Sequence, residues 1–175
     1  GSLPNIKGSD VTLSFGNQTL MQSNFNVVGL PRVAETFLFL DITDMSTNSV
    51  DLGLLLGSLP GSKVKALPES FKQLGTIKYK GNFTGFINDL VAYGKFTTSL
   101  GSISTDIGVK VTDRVTFSGS LNTVGFDLGR MFWMREQIGK LTMKMTVNGS
   151  HVSKNNYYAY LKGEIDSVSI RDYTI

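Results

Sequence analysis

The sequence predicts a mainly β fold: a curved antiparallel sheet with a small helical insertion. Three observations predict it. Apolar and polar residues alternate over most of the chain, which is the period of a strand with two unlike faces. Glycine is abundant, at 19 residues against 4 prolines, which suits strands that bend or approach one another closely. The alternation also changes parity inside single runs, the mark of a bulge or a bend.

Taken in chain order, Gly1-Ser2 reads as a cloning remnant. An N-terminal β segment covers residues 3–43. In it Val11, Leu13 and Phe15 alternate, and Gly16-Asn17 reads as a turn. Residues 44–75 read as the helical insertion. Its first helix covers Asp44–Leu56, with Asp44 or Ser46 as N-cap, Val50 and Leu54 one turn apart, and Gly57 beyond its end. Its second covers Pro68–Leu74, opened by a proline suited to a first turn, pinned by Leu67 and Phe71 and ended by Gly75. The Gly, Ser and Pro of 57–66 make the link a loop.

Residues 76–175 read as a long antiparallel region of the same domain. Its strands carry Ile77, Tyr79, Gly81, Phe83; then Ile103, Thr105, Ile107, Val109, Val111; then Val115, Phe117, Gly119, Leu121. The cleanest run is Leu141, Met143, Met145, Val147, with Lys140, Thr142, Lys144 and Thr146 on the other face. Tyr157, Ala159, Leu161, Gly163 and Ile165 alternate last. The parity then switches across Asp166-Ser167, as it does between Leu121 and Val124.

One phrase recurs. "YKGNF", "FSGSL" and "LKGEI" each place glycine between two large apolar residues on one strand face. The glycine leaves a gap that admits a neighbour's side chain or backbone, or lets the strand bend inward. The glycines at 81, 94, 119 and 163 are unevenly spaced, so the chain is not a strict solenoid but hairpins of unequal length.

Composition narrows the function. Net charge is only +3 and the basic residues are scattered, so no nucleic-acid partner is expected. Cysteine is absent, which removes disulfides and thiolate metal sites. The longest apolar run, Leu52–Leu56, is far short of the roughly 20 residues of a membrane span. His151, the single histidine, follows the turn signal Asn148-Gly149, reads as an exposed loop residue and has no evident partners for a metal. No nucleophile motif, phosphate loop or dinucleotide fingerprint occurs, so no catalytic residue, metal or cofactor is expected. The pairs Asp41/Asp44 and Glu164/Asp166 have the residue type of a glycosidase dyad, but read more simply as solvent-facing strand ends or a helix cap. Tyr157, Tyr158 and Tyr160 suit stacking on sugars or bases, or simply decorate both sides of a strand. Phe132-Trp133-Met134, between Arg130 and Arg135, reads either as packing beside a turn or as an amphipathic tip for a membrane or a partner.

The segment "LGTIKYKGNFTGFINDLVAYGKFTTSLGSISTDIGVKV", with "FSGSLNTVGFDLGRMF" and "IGKLTMKMTVNGS", resembles the TamB/AsmA-like envelope proteins of Bacteroidetes. The similarity covers about Leu67 to Ile175, and "GLPRVAETFLFLDI" is similar to the preceding segment of such proteins. These are strand phrases rather than catalytic signatures. The resemblance implies an internal periplasmic fragment of a protein tethered to the inner membrane, with the anchor outside this chain. It also implies a taco-like sheet with an apolar groove, serving phospholipid transport or, with an outer-membrane assembly protein as partner, β-barrel assembly.

A curved antiparallel sheet can be apolar inside and polar outside. Strands of eight to ten residues span roughly 27–34 Å, enough to wrap acyl chains. The candidate groove residues are Ile77, Tyr79, Phe83, Ile103, Ile107, Val109, Phe117, Leu141, Met143 and Met145, with phospholipid acyl chains as the expected partner. Two alternatives stand beside this. The apolar face could close on itself as a flattened barrel or sandwich. The chain could then be a secreted or surface β-sandwich that binds a glycan or a protein.

Overall fold

The computed structural model describes residues 4–58, 65–112, 115–153, 156–170 and 173–174, with only the backbone at residues 33, 56, 151–153, 156–159 and 173–174. The strands are β1 (Asn5–Phe15), β2 (Thr19–Val28), β3 (Phe37–Thr47), β4 (Ile77–Phe86), β5 (Asp89–Thr98), β6 (Gly101–Val111), β7 (Val115–Asp127), β8 (Lys140–Ser153), β9 (Asn156–Ile170) and β10 (Tyr173–Thr174). They form one antiparallel sheet in strict chain order, each strand bonded to the next. β1 has no partner but β2, and β10 none but β9, among the described residues. The sheet is curved and unclosed, with about 14% of the chain helical. The barrel and sandwich alternatives fail here, because no strand pairing closes the sheet and no second sheet covers it among the described residues.

Bulges and glycines supply the curvature. The register shifts between Gly8 and Val11, Ile42 and Met45, and Thr123 and Phe126, and again where β9 carries Asp166 as an extra residue. The Asp166 bulge lies where the parity switch puts it. The β7 bulge is at Val124-Gly125, slightly beyond the expected place, and the Gly125 amide donates to Thr142 Oγ1 at 3.0 Å. An extra residue on one strand adds twist and bends it. The glycines of the repeated phrase act alongside. A Cβ on Gly81, Gly119 or Gly163 would collide with the carbonyl oxygen of Tyr93, Asp106 or Lys144 on the next strand. At those points one strand leans onto the backbone of its neighbour, and only glycine leaves room.

The helical parts differ from expectation. Residues 44–47 are still β3, because Ser46 and Thr47 pair with Lys78 and Ile77 and the ladder holds them extended. Helix α1 therefore covers Ser49–Ser58, and Gly57 lies inside it. Asn48, not Asp44 or Ser46, caps it: Asn48 Oδ1 accepts from the Asp51 amide at 2.9 Å. Val50 and Leu54 face solvent at 58% and 52% exposure rather than the core. The second helix is 3-10 in type, Glu69–Leu74, between Pro68 and a Gly75 at φ 63°. Most of the linking loop, residues 59–64, lies outside the described residues. Two elements had no counterpart in the sequence reading: a 3-10 turn at Val33–Glu35 and helix α2 (Leu128–Met131). Asp127 caps α2 by accepting from the Arg130 amide at 2.7 Å.

Asp51 ties α1 to the first hairpin. It is 2% exposed. Its carboxylate accepts from the amides of Asn17 and Gln18, the latter at 2.8 Å, and from Thr19 Oγ1 at 3.0 Å. The Gln18 amide is the main reason its pKa lies below the ordinary value; burial opposes this, and the Asn17 and Thr19 bonds add to it.

Candidate functional site

The ladder brings all ten candidate residues to one face. Tyr79 stands opposite Phe96, Phe96 opposite Ile103, and Ile103 opposite Thr123, which faces Met143. One step along, Phe83 faces Ala92, Ala92 faces Ile107, and Ile107 faces Gly119. Val109 faces Phe117, and Leu121 faces Met145. Leu141 and Met143 lie two apart on an unbroken stretch of β8 and so share that face. The same face continues through Leu40, Ile42 and Met45 of β3 and Met21 and Phe25 of β2.

This face is the inside of the curve. Ile42, Met45 and Tyr79 are buried to 6% exposure or less, with Met21, Leu40, Phe83 and Phe96 packed around them. All seven belong to the sheet, so its own curvature is what shields them. Tyr79 anchors the cluster, with its ring 4.6 Å from Phe96 and 6.0 Å from Phe83. Its hydroxyl donates to the Tyr93 carbonyl at 3.2 Å, and burial pushes its pKa up.

One end of the concave face is closed. The β3–β4 and β7–β8 connections both emerge there and carry α1, the 69–74 helix and α2. Leu74, Ile77, Leu100, Phe126 and Met131 form a core under them, with Leu52, Phe71, Ile103 and Leu128 against it. Ile77 and Leu141 are therefore core residues, buried as deeply as Tyr79. Away from that plug, Phe83, Ile107, Val109, Phe117, Met143 and Met145 are half-buried. The insertion thus covers one end of the groove, not its length. Towards the sheet edges the inner face becomes open: Leu13 on β1 is 48% exposed and Ile165 on β9 is 63% exposed.

The outer face is mixed: Leu20, Phe39, Phe86, Val91 and Tyr93 stand exposed on it, and it carries the ion pairs Lys80–Asp44 at 3.5 Å, Lys110–Asp89 at 3.3 Å and Lys144–Asp166 at 4.0 Å. All six partners are largely solvated, so each pair contributes little to stability. Asp44 and Asp166 are thus engaged by lysines, and Asp44 is a strand residue rather than a helix cap. No group of three or more metal-ligating side chains gathers among the described residues. His151 is not in a loop: it lies in β8, paired with Val115 and Tyr157. Asn148-Gly149 makes no turn because β7 and β9 flank it and supply ladder partners on both sides. Tyr160 is exposed on the outer face, opposite Asn148; the side chains of Tyr157 and Tyr158 lie outside the described residues. Phe132, Trp133 and Met134 do not pack beside the turn. They are 49%, 62% and 45% exposed.

Sequence reasoning missed the inner residues of β5, namely Leu90, Ala92 and Phe96. The signal was present as alternation, but Val91 and Tyr93 put apolar groups on the outer face as well and blurred it. No helix among the described residues is long and apolar enough to cross a membrane. In comparisons with known proteins, no family model, no curated protein and no solved structure matches this chain.

Proposed function

We propose that this chain is a non-enzymatic, periplasmic segment of an inner-membrane-tethered envelope-biogenesis protein of TamB/AsmA-like kind, whose concave face offers a path for phospholipid acyl chains. The observation that carries the reading is a single apolar face, inside a curved and unclosed sheet, on which all ten candidate residues fall. Apolar chains gain by leaving water for such a surface, at about 25 cal/mol per Å² buried. Met143 and Met145 suit it, since a flexible thioether adapts to chains of varied shape. The exposed inner residues at both edges fit a sheet that continues in a longer protein, where further strands would extend the groove. Handling of unfolded outer-membrane strands, with an assembly protein as partner, is the other use such a face can serve. Both uses require the face to stay open.

The test is a photo-crosslinking amino acid at Ile107 or Met143 in the full-length protein in cells. Capture of phospholipid there, with none at the outer-face positions Lys78 and Lys144, is expected. Equal capture from both faces, or none from either while a known lipid carrier labels well, overturns the proposal.

A further inference from the structure

The closed end of the sheet carries a feature that the groove does not use. Helix α2 ends in a Schellman arrangement: the Met134 amide donates to the Gly129 carbonyl at 2.7 Å, and Trp133 holds the left-handed position with φ 57°. That position usually takes glycine, because a side chain there crowds the backbone. Here it holds the bulkiest residue of all, and Trp133 is 62% exposed, so burial does not offset the strain.

The surroundings hold the strained residue in place. The Phe132 amide donates to the Leu128 carbonyl at 3.0 Å, and the amides of Gln137 and Ile138 both donate to the Met134 carbonyl. Gly129 lies so close to the Ile138 carbonyl that no side chain would fit. The result is a fixed tip presenting Phe132, Trp133 and Met134 to solvent. Arg130 and Arg135 flank it in a shallow depression lined also by Gln73, Glu136 and Gln137; neither arginine has an ion-pair partner among the described residues, and two arginines against the one carboxylate of Glu136 leave the tip net positive. Strain held at an exposed position points to function rather than to stability.

From the strained, solvent-facing Trp133 between two unpaired arginines, we propose that this tip docks on an anionic lipid bilayer surface. Aromatic rings with one polar edge settle at the headgroup level, and Phe and Met add apolar depth beside them. Unpaired arginines meet the negative potential of such a surface. A bilayer thus satisfies the apolar and the cationic parts of the tip together. The contact is independent of the groove reading and holds whether or not the concave face carries lipid.

Trp133 is the single tryptophan of the chain, so its emission reports the tip alone. Titration with phosphatidylglycerol-containing vesicles is expected to shift that emission to the blue, with quenching by bromine-labelled acyl chains. Pure phosphatidylcholine vesicles should do neither. The double variant Arg130→Gln, Arg135→Gln should partition about thirtyfold less to the anionic vesicles. Trp133→Gly removes the strain, so it should melt at the same or a higher temperature, yet no longer float with the vesicles. An unmoved emission overturns the proposal and leaves a protein as the occupant of the tip. So does equal binding to neutral vesicles, or a Trp133→Gly variant that floats as well as the parent.

Discussion

Tyr79 occupies the space that a side chain on Gly94 would need. A Cβ on Gly94 would stand 2.5 Å from both Cε2 and the hydroxyl of Tyr79, closer than non-bonded atoms pack. The ring has little freedom to yield: it is 3% exposed, packed on Phe96 and Phe83, and bonded to the Tyr93 carbonyl. Gly94→Ala is therefore expected to cost about 1–3 kcal/mol by overpacking. A lower urea midpoint at unchanged slope is the measurement. Adding Tyr79→Leu should recover part of that loss, so the double variant costs less than the sum of the singles. A strictly additive pair would show that ring and glycine do not compete for this space.

Gly119 and Gly163 of the repeated phrase face backbone rather than a ring, and backbone cannot rotate out of the way. A Cβ on Gly119 would strike the Asp106 carbonyl, and the Gly119 φ of 156° itself favours glycine. One on Gly163 would strike the Lys144 carbonyl. Alanine should already cost about 1–3 kcal/mol at either site, and valine at least as much. Gly108 is the control: its Cβ would meet only the Ser118 carbonyl at 3.7 Å, an ordinary contact. Gly108→Ala should stay within about 0.5 kcal/mol of the parent. Equal losses at all three sites would refute close strand approach as the role of the phrase.

These glycines also show what the sequence made legible. Alternation with period two depends only on which face is wet, so most strand positions and the shared inner face could be read directly. The bulge at Asp166 could be read for the same reason, since one extra residue reverses parity. Helix boundaries could not. Asp44 and Ser46 have the chemistry of caps, but pairing with β4 decides that they stay extended, and that pairing is non-local. Asn148-Gly149 fails as a turn for the same reason. Burial along the groove was equally hidden: Ile77 and Ile107 look alike in sequence, and only the packing of Leu74, Leu100 and Phe126 makes the first a core residue.

Asp51 should make the first hairpin sensitive to acid. Its folded pKa lies below the ordinary 3.8 that it takes when unfolded, chiefly because the Gln18 amide favours the charged form. A depressed carboxyl stabilises fully above the unfolded value, and that contribution fades as pH falls through the folded one. Asp51→Asn is thus expected to lower the melting temperature by several degrees at neutral pH. The gap between parent and variant should narrow as pH drops below about 4. Melting curves at pH 7 and at successive steps below 4 provide the check. A gap that stays constant with pH would mean that the carboxylate charge is not what binds the turn.

Lipid capture along the groove should follow burial, not hydrophobicity. Ile77, Tyr79 and Leu141 are as apolar as Ile107, Phe117 and Met145, but the first three are 2%, 3% and 5% exposed. Ile77 belongs to the core under the plug, Leu141 pairs with Phe126 of that core, and Tyr79 is sealed by Met45, Ile42 and its ring neighbours. An acyl chain on the concave face can reach the half-buried set without moving any of these. It cannot reach the buried set unless the plug of α1, α2 and the 69–74 helix withdraws. Crosslinkers at Ile107, Phe117 and Met145 should therefore capture phospholipid well above those at Ile77 and Leu141, with Tyr79 also low. Loosening the plug with Leu74→Ala, expected to cost about 2–5 kcal/mol as a core truncation, should raise capture at Ile77 while leaving Ile107 unchanged. Strong capture at Ile77 in the parent would mean that the plug opens in the working protein, and a uniform signal along the face would mean that lipid does not follow the groove at all.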